Sequence, residues 1–137
     1  MAHILLVDDE PDILLLIRIN LEGRGHRVTV ASHGEMALQM IAADPPELVV
    51  LDVMMPVMDG WGVLESLMRE GVEIPVVVVS AMQDPSNTRK ALELGADQHI
   101  GKPFDLRVLV GAVDLHLSRS PEERRVARAA SLAALPA

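Results

Sequence analysis

Short, unbroken apolar runs constrain this chain more than any other feature of it. Residues 4–7, 48–51 and 76–79 read Ile-Leu-Leu-Val, Leu-Val-Val-Leu and Val-Val-Val-Val, with no polar alternation. A strand of that kind is buried on both faces, which requires a sheet covered on both sides. Residues 28–31 and 98–100 complete a set of five predicted strands. Between the strands lie segments with helical spacing. Ile13, Leu14, Ile17 and Leu21 mark the first, stopped by Gly23 and Gly25; Met36, Leu38, Met40 and Ile41 mark the second, over 34–43 and ended by Pro45-Pro46. Further helices are predicted over 62–69, over 86–94 before Gly95, and after Lys102-Pro103 to about Leu117. Strands alternating with helices make an α/β fold with a parallel sheet.

The chain has 137 residues, suited to one domain, and half of them are hydrophobic. Trp61 and Phe104 are its aromatic residues, so aliphatic side chains and eight methionines must fill the interior. The net charge of −8 argues against binding nucleic acid through this domain and suits recruitment of a divalent cation. The absence of cysteine excludes disulfides and thiolate chemistry and fits a cytoplasmic location. The apolar run at 4–7 is too short for a signal peptide or a membrane span, so no membrane role is expected. Residues 1–118 read as the domain. Residues 119–137 read as an extension: Ser120-Pro121-Glu122-Glu123 has the capping-box pattern, and the Arg- and Ala-rich stretch after it is expected to be a marginal or frayed helix.

Ligands of open parallel sheets bind beyond the carboxyl ends of the strands. Here the first strand ends in Asp8-Asp9, the third in Asp52 and the fourth in Ser80, while Lys102 follows the fifth. One acid at a strand end is ordinary; this set on one rim is not. Crowded carboxylates repel unless a cation stands among them, and Mg²⁺ uses one or two carboxylates with water and phosphate oxygens. A carboxylate can itself accept a phosphoryl group, and Lys102 and Ser80 can serve the phosphoryl oxygens.

These residues carry a family resemblance. The opening Ile4-Leu5-Leu6-Val7-Asp8-Asp9-Glu10, the segment from Leu51 through Asp52, Val53, Met54, Met55, Pro56, Val57, Met58 and Asp59 to Gly60, the pair Ser80-Ala81 and the triplet Gly101-Lys102-Pro103 resemble the receiver domains of two-component response regulators, over roughly residues 2–118. The resemblance implies a doubly wound, flavodoxin-like (βα)5 fold of the CheY-like superfamily, with strand order 2-1-3-4-5. It implies Asp52 as phosphoacceptor, and Lys102 and Ser80 as phosphoryl contacts. It implies Asp8, Asp9, Asp52 and the Met54 carbonyl around Mg²⁺, for which Mn²⁺ can substitute. It implies a sensor histidine kinase or histidine phosphotransfer protein as donor and a downstream protein target. The output surface would be the fourth helix, fifth strand and fifth helix, where Arg89, Lys90, Glu93 and Arg107 supply charge and where a homodimer could form.

Some positions depart from the commonest pattern. His99 stands where the family usually has Tyr or Phe; with Ser80 it is the expected switch pair. Val57 replaces a frequent glycine, and Met54 and Met82 replace polar residues, from which a long-lived acyl phosphate is expected. The histidines 3, 26, 33, 99 and 116 lack metal-ligand spacing, and Arg124, Arg125 and Arg128 read as a solvated helix face. Two other readings compete. A Mg-dependent phosphohydrolase with an aspartyl-phosphate intermediate needs an acid where Met54 stands, and a phosphorylation-independent scaffold has no use for the full acidic set. Catalysis is therefore expected to extend only to the chain's own phosphorylation and slow dephosphorylation. Lacking a further strand pattern after 118, the chain reads as a stand-alone receiver, with the front of a longer regulator as the alternative.

Overall fold

The structure, a computed structural model, describes residues 2–53, 59–81 and 85–136. Among these, strands and helices alternate as β1 (His3–Val7), α1 (Pro11–Gly23), β2 (Arg27–Ala31), α2 (Gly34–Ala43), β3 (Leu48–Asp52) and α3 (Gly60–Arg69). They continue as β4 (Val76–Ser80), α4 (Pro85–Glu93), β5 (Gln98–Gly101), α5 (Leu106–Ser118) and α6 (Pro121–Ala134). The strands form one parallel sheet in the order β2-β1-β3-β4-β5. This is the flavodoxin-like order, with its switch point between β1 and β3.

The unbroken apolar runs are explained by the two sheet faces. Successive strand residues point to opposite sides. Leu5, Val7, Val49, Leu51, Val76 and Val78 enter one core with Ala37, Ile41, Val63, Leu64, Leu67 and Ala91 of α2, α3 and α4. Ile4, Leu6, Val50, Val77, Val79 and Ile100 enter the other with Ile17 and Leu21 of α1 and Leu109, Ala112 and Val113 of α5. Both layers are buried, so neither parity of the strand pattern can be polar.

Helix starts follow local chemistry. Pro11 occupies the first turn of α1, the His33 ring accepts from Met36 N at the start of α2, and Asp59 and Asp105 accept from Gly62 N and Arg107 N to open α3 and α5. The Asp59 cap starts α3 two residues earlier than hydrophobic spacing alone predicts. Gly25, at φ 90°, turns the chain from α1 into β2 in a conformation that suits glycine. The extension after residue 118 is a fourteen-residue helix, α6, which carries the complete capping box and packs against α4. No helix among the described residues is long and apolar enough to cross a membrane.

Candidate functional site

Strand register builds the site. Val7 pairs with Leu51, Asp52 with Val79, and Ser80 with Gly101, so the residues that follow or end β1, β3, β4 and β5 reach one rim together. Backbone bonds tie the rim: Asp8 N donates to Ala31 O (3.2 Å) and Lys102 N to Ser80 O (2.8 Å). Asp8 also folds its own loop, its Oδ1 accepting from Glu10 N at 2.9 Å. Asp8, Asp52 and Ser80 are buried, whereas Asp9 and Glu10 are exposed.

Lys102 is the centre of this arrangement. Its Nζ donates to Asp8 Oδ2 at 2.9 Å, Glu10 Oε1 at 3.0 Å and Asp52 Oδ2 at 3.1 Å. The Lys102 side chain is 12 % exposed and those of Asp8 and Asp52 7 % and 3 %, so two of these pairs are largely withdrawn from water. Burial pulls the Lys102 pKa down, but hydrogen bonds to Asp8 and Glu10 and the charges of Asp52 and Asp8 outweigh it, leaving the ammonium more basic than an ordinary lysine. One cation thus faces several anions.

The donor set suits a hard divalent cation. Asp8, Asp9, Glu10 and Asp52 each offer a carboxylate oxygen, all within 4.8 Å of one another. Oxygens around an octahedral Mg²⁺ at about 2.1 Å lie roughly 3–4 Å apart, a spacing this cluster reaches with small side-chain adjustments.

Of the residues singled out in the sequence, Asp8, Asp9, Asp52, Ser80 and Lys102 share this rim. His99 does not. It sits within β5, where its Nδ1 and Thr88 Oγ1 of α4 are 2.8 Å apart. Met54, with its carbonyl, and Val57 and Met82 lie outside the described residues. Two residues gained a role that sequence reading had not given them. Glu10 is a partner of Lys102, a function hidden behind the two aspartates before it. Gly60 lies so close to β3 that a Cβ there would stand 2.5 Å from the Asp52 carbonyl oxygen and 2.6 Å from Val53 Cα. Its Asp-Gly dipeptide signalled a turn, not a contact with the back of the site.

The model of the response regulator receiver domain matches residues 4–114. The chain belongs to that family. This receiver is 45 % identical over 106 residues to the transcriptional regulatory protein KdpE of Mycobacterium tuberculosis, a match covering 77 % of this chain and 46 % of KdpE. It is 40 % identical over 117 residues to the alkaline phosphatase synthesis transcriptional regulatory protein PhoP of Bacillus subtilis, covering 85 % and 49 %. Among solved structures, the receiver domain of the Francisella response regulator 1452 superposes with a TM-score of 0.84 at 31 % identity, covering 87 % of this chain and 98 % of that one. The BeF3-activated N-terminal receiver domain of Klebsiella pneumoniae RstA gives 0.79 at 32 %, covering 85 % and 99 %. The receiver spans about half the length of the curated relatives it matches.

Proposed function

We propose that Asp52 accepts a phosphoryl group from a phosphohistidine of a sensor kinase or phosphotransfer protein, and that the acyl phosphate changes which partner the receiver binds. The observation that carries this reading is the Lys102 ammonium spanning the ends of β1 and β3, at 2.9 Å from Asp8 and 3.1 Å from Asp52. A purely structural lysine has little reason to hold two buried carboxylates in one cleft, since breaking even is the usual outcome for buried pairs.

Asp8, Asp9 and Asp52 would hold Mg²⁺, with Glu10 close by. When bound, the ion would supply charge neutralisation to the phosphoryl oxygens. The chain's own residues do the rest. An Asp52 oxygen attacks phosphorus as the donor's N–P bond breaks, and the electron pair stays with the leaving imidazole. Lys102 gives up part of its contact with Asp52 and transfers its donors to a phosphoryl oxygen. The Ser80 hydroxyl, at the neighbouring strand end, donates to another. Catalysis here is positioning and charge neutralisation.

Three exposed apolar residues, Leu15, Leu16 and Ile19, lie on α1, the helix that follows the Asp8-Asp9-Glu10 loop. They offer contact area to a helical donor whose histidine reaches over the rim. The partner-binding change is assigned to α4, β5 and α5. There the Thr88–His99 contact joins α4 to β5, so a shift of the rim has a path to the surface.

The test uses a small-molecule phosphodonor with Mg²⁺ and intact mass. The wild-type chain should gain one phosphoryl group, and Asp52→Asn should gain none. Labelling of Asp52→Asn at the wild-type rate would sink the assignment.

A further inference from the structure

If Asp52 is the phosphoacceptor, α6 and the contacts that hold it gain a role. The helix turns one stripe toward the domain: Arg124, Ala127, Arg128 and Leu132, continued by Leu135 beyond its end, are buried or half-buried while their neighbours are exposed. A helix that docks permanently presents apolar residues there. This one presents two arginines. Their target is Asp97, whose side chain is 3 % exposed and already accepts from Val76 N at 3.0 Å. Arg124 Nε and Arg128 Nη1 both stand 3.3 Å from Asp97 Oδ1. Arg124 also donates to Glu73 O (2.8 Å) and Arg128 to Gly95 O (3.2 Å).

The fit around these ion pairs is loose. A groove of about 220 Å³ remains between α3 and α6, lined by Leu64, Leu67, Ile74 and Leu94 and by Arg124, Arg125 and Arg128. Docking by charge over an underfilled apolar wall gives a helix that can leave without exposing a large apolar face.

The far end of α6 is tied to α4. Arg89 Nη2 donates to Pro136 O at 3.0 Å, with Leu135 O at 3.4 Å. Its neighbours in α4 look the other way. Thr88 contacts His99 of β5, and the Lys90 ammonium lies 4.5 Å over the ring of Trp61, next to the Gly60 that packs on Asp52. Three consecutive α4 residues thus join β5, α6 and the start of α3. A shift of the rim that moves His99 or Trp61 has a path through α4 to Arg89.

We propose that α6 is a reversible latch, coupled through α4 to the phosphorylation of Asp52. It is docked while Lys102 pairs directly with Asp52, and released when an acyl phosphate breaks that pairing. Coupling is reciprocal, so loosening the latch must favour the phosphorylated arrangement.

Hydrogen exchange of the α6 amides, measured on the full chain with Mg²⁺ and with or without beryllofluoride, tests this. Saturation is followed by Trp61 fluorescence and by fluorine NMR of bound beryllofluoride. Beryllofluoride should speed exchange in α6 by about fivefold or more, and the double variant Arg124→Ala/Arg128→Ala should bind beryllofluoride about fivefold more tightly. Arg89→Gln, at the far end, should shift affinity the same way and carries the test if the double variant does not fold. Unchanged α6 exchange at saturation, or wild-type affinity in the variants, overturns the latch while leaving the phosphoacceptor reading intact. Absence of beryllofluoride binding to the wild type overturns that reading, and the latch with it.

Discussion

At the scale of single residues, the site is a balance of charge around Lys102, and the balance can be measured. Lys102→Met leaves Asp8 and Asp52 facing each other in a buried cleft, with no cation between them. In chelator it should destabilise the fold by about 3 kcal/mol, and millimolar Mg²⁺ should restore most of that, because the ion can stand where the ammonium stood. Urea denaturation with and without Mg²⁺ checks both halves; a loss that Mg²⁺ does not touch would mean that Lys102 acts through packing alone. Gly60→Ala tests the back wall. The new methyl meets backbone at Asp52 and Val53, which cannot rotate aside, so a loss of about 2 kcal/mol is expected together with slower phosphoryl labelling. Asp8, Asp52 and Ser80 were legible because each directly follows an apolar run, and Lys102 because Gly101-Lys102-Pro103 marks the end of the fifth predicted strand. Glu10 and Gly60 were not. A half-exposed glutamate after two aspartates, and a glycine after an aspartate, both look like turn residues until register brings β5 and β3 beside them.

At the scale of elements, α4 is the least apolar of the sheet's helices and the one with the most varied attachments. Its buried residues are Ala91 and Leu92, and its ties include Thr88 to His99, Arg89 to the end of α6 and Lys90 to Trp61. A histidine in β5 therefore holds α4 by a directional contact, where the family's usual aromatic ring would only pack. Thr88→Val should cost about 1 kcal/mol, and Thr88→Val in a His99→Phe background should cost much less, since the polar partner is gone. A double-mutant cycle by urea denaturation that closes to zero would show the two residues to be independent. The three central strands, β1, β3 and β4, were visible from burial on both faces, which leaves a signal in sequence that loops and caps do not obscure. The docking of α6 was not visible. Its stripe mixes Arg124 and Arg128 with Leu132, and arginines on a helix read as solvated unless a buried carboxylate is known to await them. Asp97, which awaits them, sits in an unremarkable turn before β5.

At the scale of the whole molecule, the chemistry occupies one pole of the sheet and a second polar cluster the other. The rim beyond the strand ends carries Asp52 and Lys102; the opposite pole carries Asp97, Arg124 and His116. His116 is 3 % exposed in α5, with Nε2 2.9 Å from Gln98 Oε1 of β5. Burial holds its imidazolium down; the charge of Asp97 opposes this, and Arg119 and Arg124 reinforce it, so its pKa lies below the ordinary 6.5. The unfolded chain then takes up this proton at higher pH than the folded one does. The neutral ring contributes stability that is complete above the unfolded value near 6.5 and is lost as pH falls from there toward the depressed folded value. A proton on His116 would also repel Arg124, so the same acidification loosens α6 from its base. His116→Leu removes the group, and its stability should vary less than that of the wild type between about pH 7 and pH 5. Urea midpoints measured across that range for both chains decide the matter: parallel curves would mean that His116 does not titrate differently on folding, whereas a wild-type curve falling away on the acid side would place the pH-sensitive joint at the pole where α6 is anchored.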